Sequence, residues 1–379
     1  MSDHGSNDER ARRPADALAR LRLIRTAGVG PVAYAQLLAR FGNAEAALDA
    51  LPRLARRGGG GPPRVAEEAL VRREAERVGA LGARYLFLGT PEYPPLLAEI
   101  DDAPPVLVVR GDEALAARPC VAIVGARNAS AAACRFARGL AHEIAGEGVS
   151  VVSGLARGID TAAHVGALGI DGAGGTVAVI AGGIDVAYPP ENGALQEQVA
   201  EQGLLIAEQP PGTEPRARHF PYRNRIISGV SSGTLVVEAV MKSGSLITAR
   251  LAGEQGREVM AVPGSPLDPR SAGCNGLIRD GATLVQSSAD VLELIRPFAG
   301  PGSVGVRAPL GRYDGPPPED ASDADRRAVT ALLGPVPVSV DELIRQAGRP
   351  PAVVQTVLLE LELAGRVERH AGGRVSLAA

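Results

Sequence analysis

Tryptophan is absent from this chain of 379 residues, and aromatic residues make up only 3% of it. Aliphatic side chains and alanine must therefore build its hydrophobic cores. The chain has no run of eighteen apolar residues, which excludes a membrane-spanning helix. Its first sixteen residues, MSDHGSNDERARRPAD, are polar and lack the apolar segment of a secretion signal, so we expect a disordered tail and a cytoplasmic protein.

The chain also has few cysteines and histidines and a small net charge. The three cysteines, Cys120, Cys134 and Cys274, lie far apart without a CxxC pair, and the five histidines are scattered. Neither a disulfide framework nor a zinc site is therefore expected. The 40 Lys+Arg nearly balance the 43 Asp+Glu, giving a net charge of −3. This balance argues against nucleic-acid binding through bulk positive charge and leaves room for a local basic groove.

Glycine and proline divide the chain at RRGGGGPP (56–63) and at a long segment (297–325). Between these breaks, short β-rich runs alternate with helical stretches, a pattern that predicts parallel strands buried on both faces by helices. The fold class is α/β, an extended Rossmann-like, doubly wound parallel sheet. The predicted strands are CVAIVG (120–125), VSVVSG (149–154), TVAVIAGG (176–183), GLLIAE (203–208), GTLVVEA (233–239), REVMAV (257–262) and ATLV (282–285).

Glycine-rich turns follow the first two of these strands, where a doubly wound sheet places its ligand site. In GARNAS (125–130), Gly125 allows close backbone approach, Arg127 projects a fork of donors and Ser130 can cap the next helix. The dinucleotide fingerprint GxGxxG is missing from this turn, and GxxxxGK[ST] does not occur in the chain, so hydride transfer and P-loop chemistry lose their main supports and no cofactor is expected.

The second turn lies in SGLARGIDTAAH (153–164). Gly154 and Gly158 predict a nest of backbone amides for an anion, with Arg157 pointing from it. An ordinary strand-to-helix turn is the alternative interpretation. A glycine, an arginine and a capping residue recur after two successive strands, which favours a phosphate cradle.

The densest positive stretch is PRARHFPYRNRIISG (215–229), in which four arginines surround His219, Phe220 and Tyr222. Guanidinium groups for phosphates and rings for bases are what single-stranded nucleic acid requires, although a solvated arginine-rich loop is the alternative. Downstream, MKSGSLITAR (241–250) contains Lys242, the one lysine of the chain, at another predicted helix start. Hydroxyls and amides there would complete an anion site.

These blocks resemble the DNA-processing protein A family, also called DprA or Smf. The resemblance extends over about two-thirds of the chain and rests on long, contiguous and specific blocks. The resemblance implies single-stranded DNA binding by a Rossmann-like domain that dimerises and helps to load the RecA recombinase during natural transformation. Many relatives have GSR where this chain has GAR, so Ala126 lacks a hydroxyl that could touch phosphate. The matching segments are VAIVGARNAS, VVSGLARGIDTAAHVGAL, TVAVIAGGIDVAYPPEN, HFPYRNRIISG, VVEAVMKSGSLITARLAGEQGREVMAVPGSPLDPRSAGCNGLIRDGATLV and the lead-in YPPLLAEIDDAPPVLVVRG (93–111).

The resemblance assigns DNA contacts to the two glycine-rich turns, the HFPxRNRIIS block and the KSGS block, and our reading of the turns adds their neighbours. No catalytic residue and no metal ligand is expected. The expected DNA-binding residues are Gly125, Arg127, Ser153, Gly154, Arg157, Arg218, Phe220, Arg223, Asn224, Arg225, Lys242, Ser243, Ser245 and Thr248.

The flanks carry weaker patterns. Residues 17–42 suggest two helices around a Gly-x-Gly hairpin, either a phosphate-binding helix-hairpin-helix (SAM-like) module or a plain packing unit. Residues 323–377 have the helix and strand order of a winged helix, but its third helix carries Glu360 and Glu362 and no basic residue, so we expect protein contacts there. The expected division is a tail (1–16), a helical domain (17–80), a Rossmann-like core (84–298), a linker (299–322) and a winged helix (323–379).

A second function class is a nucleotide-processing enzyme, because related Rossmann-like families place Gly-Thr and then Glu after a strand, as Gly233, Thr234 and Glu238 do here. No second acid stands nearby, and Glu238 could instead orient Arg225 or Lys242. The core is expected to form a symmetric homodimer. Part of that expectation rests on the short helix near 291–295, which carries more apolar side chains than one core contact requires.

Overall fold

A computed structural model describes residues 14–61, 63–168, 170, 174–295, 320–370 and 372–378. They form two compact units, one that combines the described residues up to Arg73 with those from Asp320 onward, and a core unit that begins at Glu74. Most of the expected tail and nearly all of the expected linker lie outside the described residues, and the first helix begins at Pro14.

The core unit contains one sheet of nine strands in the order β1-β2-β6-β5-β4-β3-β7-β8-β9. The seven predicted strands are confirmed, and each is parallel to its neighbours among the seven. Two strands without a prediction, β1 and β2, extend the sheet antiparallel beyond β6. The strands are β1 (Arg84–Phe87), β2 (Val106–Gly111), β3 (Cys120–Gly125), β4 (Ser150–Ser153), β5 (Gly175–Gly183), β6 (Leu204–Gln209), β7 (Gly233–Val237), β8 (Glu258–Ala261) and β9 (Thr283–Leu284).

Helices cover both faces of this sheet, as the doubly wound pattern predicts. Alternate residues of each strand face opposite ways: Val121 and Ile123 of β3 pack with one helical layer, whereas Ala122 and Val124 pack with the other. The core-unit helices are α5 (Pro95–Ala98), α6 (Ala131–Gly146), α7 (Ile159–Leu168), α8 (Gly193–Gln202), α9 (His219–Val230), α10 (Gly244–Glu254), α11 (Ala272–Arg279) and α12 (Ser288–Ile295).

The other unit joins the N-terminal helices to a winged helix, and both modules were predicted from the sequence. The helices are α1 (Pro14–Ile24), α2 (Pro31–Phe41), α3 (Ala44–Arg57), the start of α4 (Glu68–Ala80), α13 (Asp323–Ala331), α14 (Val340–Ala347) and α15 (Pro351–Leu363). Its three-stranded sheet has the order β10-β12-β11, formed by β10 (Val338–Ser339), β11 (Val367–His370) and β12 (Arg374–Leu377).

The apolar side chains of α12 pack inside the core unit. Val291 and Ile295 are fully buried, Leu292 is 7% exposed, and the partly buried Leu294 packs with the same cluster. The sequence-based argument that this helix offers spare apolar surface for a second subunit is therefore wrong. Of the helices in the described part of the chain, none is long and apolar enough to cross a membrane.

Candidate nucleic-acid interface

Chain order in the core sheet reverses at β3, which lies between β4 and β7. Ligands of doubly wound sheets bind beyond the carboxyl ends of the strands at such a point. The Arg127 turn (125–130) and the Arg157 turn (154–158) follow β3 and β4 and touch each other. The amide of Ile159 donates to the carbonyl of Ala126 at 3.3 Å, and a Cβ on Gly158 would lie 2.3 Å from the same oxygen.

An aromatic–arginine surface, formed by Arg127, Tyr188 and Phe220, lies beside these turns. The guanidinium carbon of Arg127 is 5.4 Å from the ring centre of Phe220, and the rings of Tyr188 and Phe220 are 5.6 Å apart between centres. Arg127 is exposed and Tyr188 is 47% exposed. The surface therefore offers solvent a cation and ring faces together, which suits phosphates and unpaired bases.

Tyr188 was missed by the sequence argument, although a signal existed. It follows β5, so it stands at the same edge of the sheet as the two turns. It is also one of only six tyrosines in a chain poor in aromatic residues.

The Arg157 turn is closed from inside by a buried carboxylate. Oδ2 of Asp160 accepts from the amides of Gly154 at 3.1 Å and Ala156 at 3.4 Å. Nε2 of His164 accepts from the amide of Leu155 at 3.3 Å. Three of the amides expected to form an anion nest are therefore used within the protein, so an incoming anion would meet the outer side of the turn, at Arg157.

Backbone strain marks the same turn. Leu155 has φ 54°, in the left-handed region that costs energy for a residue other than glycine. Nδ2 of Asn192 donates to the carbonyl of Leu155 at 2.8 Å and to the hydroxyl of Thr161 at 2.9 Å. These contacts, together with Asp160 and His164, hold the turn in a conformation that the chain would not adopt alone.

His164 is held neutral. Burial lowers its pKa to about 3, and the charge of Arg223 adds to the effect. Its Nδ1 lies 2.7 Å from the hydroxyl of Thr176, which donates onward to the carbonyl of Val151 at 3.1 Å. Nδ1 therefore carries the proton and Nε2 is the acceptor for Leu155.

Arg223, expected to contact DNA, lies buried beneath the turn. Its Nη1 donates to the carbonyls of Gly154 at 2.7 Å and Val179 at 2.8 Å. A Cβ on Gly154 would lie 1.8 Å from this Nη1, so Gly154 makes room for the arginine. Burial lowers the pKa of Arg223 to about 10. Its position supports the turn, and its guanidinium does not face solvent.

Arg225, also expected to contact DNA, is buried as well. It is 4% exposed, with Nη2 2.6 Å from Oε1 of Glu208 and Nε 3.4 Å from Oδ2 of Asp102. The two carboxylates raise its pKa against the effect of burial. The charge of Arg225 is therefore neutralised by carboxylates inside the core unit.

Glu238 follows β7, and its side chain reaches the start of α6 at the point where the strand order reverses. Its carboxylate accepts from the amide of Ser130 at 2.8 Å and from the hydroxyl of Ser130 at 2.7 Å. It pairs with neither Arg225 nor Lys242 among the contacts of the described residues, so both orienting roles considered from the sequence are wrong. Its φ of 51° makes it, with Leu155, one of two described non-glycine residues in the left-handed region.

Packing within the core unit also explains why residue 125 is a glycine. A Cβ there would lie 1.9 Å from the carbonyl oxygen of Val237 and 2.7 Å from Cγ1 of Ile159. Within the protein, this glycine therefore permits the close approach of β3 to β7 and to Ile159.

The remaining expected residues divide into exposed and internal groups. Lys242 and Arg218 are exposed, and Asn224 is half-buried. Ser243 caps α10 and its hydroxyl lies 2.7 Å from that of Ser245. Ser153 is buried and donates to the carbonyl of Ile123 at 2.7 Å, and Thr248 is buried too.

Arg157 is exposed but already paired. Its side chain donates to the carboxylate of Glu191, which is half exposed, and this bond lowers the pKa of Glu191 and raises that of Arg157. A phosphate must compete with Glu191 for this arginine. Among the described residues, no group of three or more His, Cys, Asp or Glu side chains is arranged to hold a metal ion.

Family models match both units of the chain. The model described as DNA recombination-mediator protein A matches residues 84–296. Those described as DprA winged helix domain and DprA-like N-terminal HHH domain match residues 314–373 and 14–76.

Curated relatives and solved structures give the same picture. DNA processing protein DprA of Streptococcus pneumoniae is 48% identical over 200 residues, 53% of this chain and 70% of that one. Protein Smf of Escherichia coli is 40% identical over 290 residues, 75% of each chain. The X-ray structure of the S. pneumoniae DprA matches with a TM-score of 0.56 and 42% identity, covering 60% of this chain and 78% of that one. A Helicobacter pylori DprA structure, described as giving insight into a single-stranded DNA binding mode, matches with a TM-score of 0.51 and 28% identity, covering 57% and 98%.

Proposed function

Because the chain belongs to the DNA recombination-mediator protein A family, also called DprA or Smf, we propose that it binds single-stranded DNA at the aromatic–arginine surface. The observation that carries this proposal is the stacking of Arg127 on Phe220 beside Tyr188, at the sheet edge where the strand order reverses. The ring faces would stack on bases, and the guanidinium would bind phosphate.

Further phosphate contacts would come from exposed cations near this surface. Arg157 lies on the turn that touches the Arg127 turn, and Lys242 and Arg218 are exposed. Arg223, Asp160 and His164 would act indirectly, because they shape the Arg157 turn from below. A strand that is recognised through its phosphates and ring faces would be bound with little sequence preference.

Fluorescence anisotropy with labelled oligonucleotides tests the proposal. We expect tighter binding to a single strand than to its duplex at matched salt, and weaker binding as salt increases. Equal or tighter binding to the duplex would contradict it.

An enzyme that processes nucleotides is the alternative, and two contacts count against it. The carboxylates of Glu238 and Asp160 are already bonded to Ser130 and to the amides of the Arg157 turn. Neither is placed as a free acid or base beside a nucleophile. Incubation with oligonucleotides and with free nucleotides, followed by product analysis, should show retention without cleavage.

Loading of the RecA recombinase onto the bound strand in natural transformation, in the cytoplasm, is part of the same proposal, as is a homodimer formed through the core. Leu267, which is 92% exposed, and Leu284 of the edge strand β9, which is 43% exposed, leave apolar surface for a second copy. Light scattering at micromolar concentration tests the dimer. RecA filament assembly on DNA coated with a single-strand-binding protein tests the loading.

A further inference from the structure

The winged helix and the N-terminal helices each contain an element that serves DNA binding in other proteins. Winged-helix and related modules lay a recognition helix in a DNA groove, and α15 has that position in the fold. Helix-hairpin-helix modules present a glycine hairpin, and Gly28 and Gly30 form it here. In this protein the two elements pack against each other.

Helix α15 is covered on two sides. Val354, Val357, Leu358 and Leu361 belong to the core of the winged helix. Leu359 and Leu363 belong to the core of the N-terminal helices, with Leu51 and Leu54 of α3. Little of the helix is left to enter a groove.

The backbones of the two modules meet at Gly58 and Gly60. A Cβ on Gly58 would lie 2.0 Å from the carbonyl oxygen of Glu360, and one on Gly60 would lie 2.7 Å from Cα and Cβ of Ala364. Gly58 has φ −71° and ψ −2°, which any residue can adopt, so glycine is needed there for space alone. Nη1 of Arg366 donates to the carbonyl of Gly58 at 3.1 Å. The start of the segment that was expected to divide the chain is therefore packed against the winged helix.

The hairpin faces the same helix. A Cβ on Gly28 would lie 3.1 Å from the carbonyl oxygen of Glu362, and one on Gly30 would lie 3.5 Å from its carboxylate oxygen Oε1. Oε2 of Glu362 is 2.7 Å from Nε of Arg369. A hairpin that would bind phosphate therefore has a carboxylate in front of it, and the wing arginine nearby is already paired.

Buried and half-buried polar groups fasten the contact. The carboxylate of Glu360 is fully buried and accepts from Nε and Nη2 of Arg326 at 2.8 and 3.0 Å, with Nη1 of Arg57 at 3.9 Å. That Nη1 lies 2.8 Å from Oδ1 of Asp320. Arg326 and Glu360 both belong to the winged helix, so Arg57 is the group among these that spans the two modules, and removing it would leave Asp320 and Glu360 with one cation fewer.

We propose that the N-terminal helices are the permanent binding partner of α15, so that the glycine hairpin and the recognition helix cover each other and neither reads DNA. The N-terminal helices and the winged helix then form one cooperatively folded unit. The surfaces through which they contact each other are buried in that unit and cannot contact DNA. This inference does not depend on where the core binds DNA.

The test compares Gly58→Ala with Gly61→Ala in the full chain. A Cβ on Gly61 meets nothing within 4 Å, so the control makes the same chemical change without the clash. Hydrogen exchange would be measured in α15 and in the hairpin. We expect exchange at least about tenfold faster in Gly58→Ala and unchanged in Gly61→Ala, although Gly→Ala at an ordinary helical φ usually stabilises. Equal protection in the two variants would overturn the proposal.

A second pair covers the case in which Gly58→Ala does not fold. Arg57→Met removes the cation shared by Asp320 and Glu360, whereas Arg53→Met removes an exposed arginine one turn earlier in α3. Faster exchange of α15 in Arg57→Met alone supports the docking, and equal exchange in the two overturns it. In the unmodified protein, new protection of α15 or the hairpin on adding duplex DNA would also overturn it. The affinity of the core for single strands, measured separately, decides the proposed function.

Discussion

The carboxylate of Glu238 and the first turn of α6 are joined through Ser130, whose amide and hydroxyl both donate to it. A helix N-terminus at this point of a doubly wound sheet commonly binds a phosphate. Here the protein supplies its own anion, from a residue with a strained backbone. Because Glu238 occupies this helix N-terminus, the phosphate contacts that we propose would fall on the neighbouring turns instead.

Glu238→Ala should destabilise the core unit. It leaves the half-buried amide of Ser130 without its charged acceptor, and the loss should be about 1 to 3 kcal/mol. Glu238→Gln keeps one carbonyl acceptor and should lose less. Urea unfolding measures both, and an unchanged midpoint in Glu238→Ala would show that water replaces the carboxylate at no cost.

Arg127→Ala and Phe220→Leu should weaken single-strand binding in different ways. Loss of the arginine should lower the affinity about tenfold and reduce the log-log salt slope by about 0.7, because one phosphate contact is lost. Loss of the ring should lower the affinity with the slope unchanged, because stacking releases no counterion. Anisotropy titrations at several salt concentrations separate the two.

Arg138→Ala is the control for both, since Arg138 is an exposed arginine on α6 outside the aromatic–arginine surface. It should bind as the unmodified protein does. If Arg127→Ala and Arg138→Ala lose affinity equally, the positive charge acts from a distance and the surface is not the binding site.

Glu191→Gln should strengthen single-strand binding, by about threefold, because it frees Arg157 from its ion pair. Glu197→Gln makes the same change in another exposed pair, 2.7 Å from Arg110, and should leave binding unaltered. Weaker binding in Glu191→Gln would mean that Glu191 positions Arg157 for the phosphate rather than competing with it.

The core should lose stability as the pH falls below about 6.5, because of His164. In the unfolded chain the imidazole takes up a proton near its ordinary pKa of 6.5, whereas in the folded protein the pKa of His164 is about 3. The contribution of His164 to the free energy of unfolding is therefore fully present above the unfolded pKa, and it falls by about 1.4 kcal/mol per pH unit below that pKa. His164→Gln, which cannot take up that proton, should show about 2 kcal/mol less change between pH 7 and pH 5.

Hydrogen exchange of β4 and β5 at the two pH values measures this difference within the core unit. The comparison with His164→Gln subtracts the carboxylates, which titrate in both proteins. The same pH response in the two would show that another group gives rise to it.

The strands of the core could be predicted because each is a short apolar run bounded by glycine, and because parallel strands are buried on both faces. The strands β1 and β2 were not predicted, since β1 has only four residues and neither RYLF nor VLVVRG alternates between apolar and polar residues. The order of strands and helices along the chain was enough to place Arg127 and Phe220 near the carboxyl ends of the core strands. Whether they contact DNA remains a prediction.

The buried arginines could not be placed from sequence. Arg223 and Arg225 lie on α9, and a helix presents residues two apart to different surroundings, so a dense positive stretch does not form one basic surface. Their partners Gly154, Asp102 and Glu208 come from other parts of the chain. Burial depends on that tertiary pairing, which local charge does not reveal.

Because α15 packs on the N-terminal helices, the modules before and after the core in sequence are held together by non-covalent contacts as well as through the core. A single nick in residues 296–319 would yield two fragments in denaturant but one particle under native conditions. Releasing the core would require a second cut, on its N-terminal side.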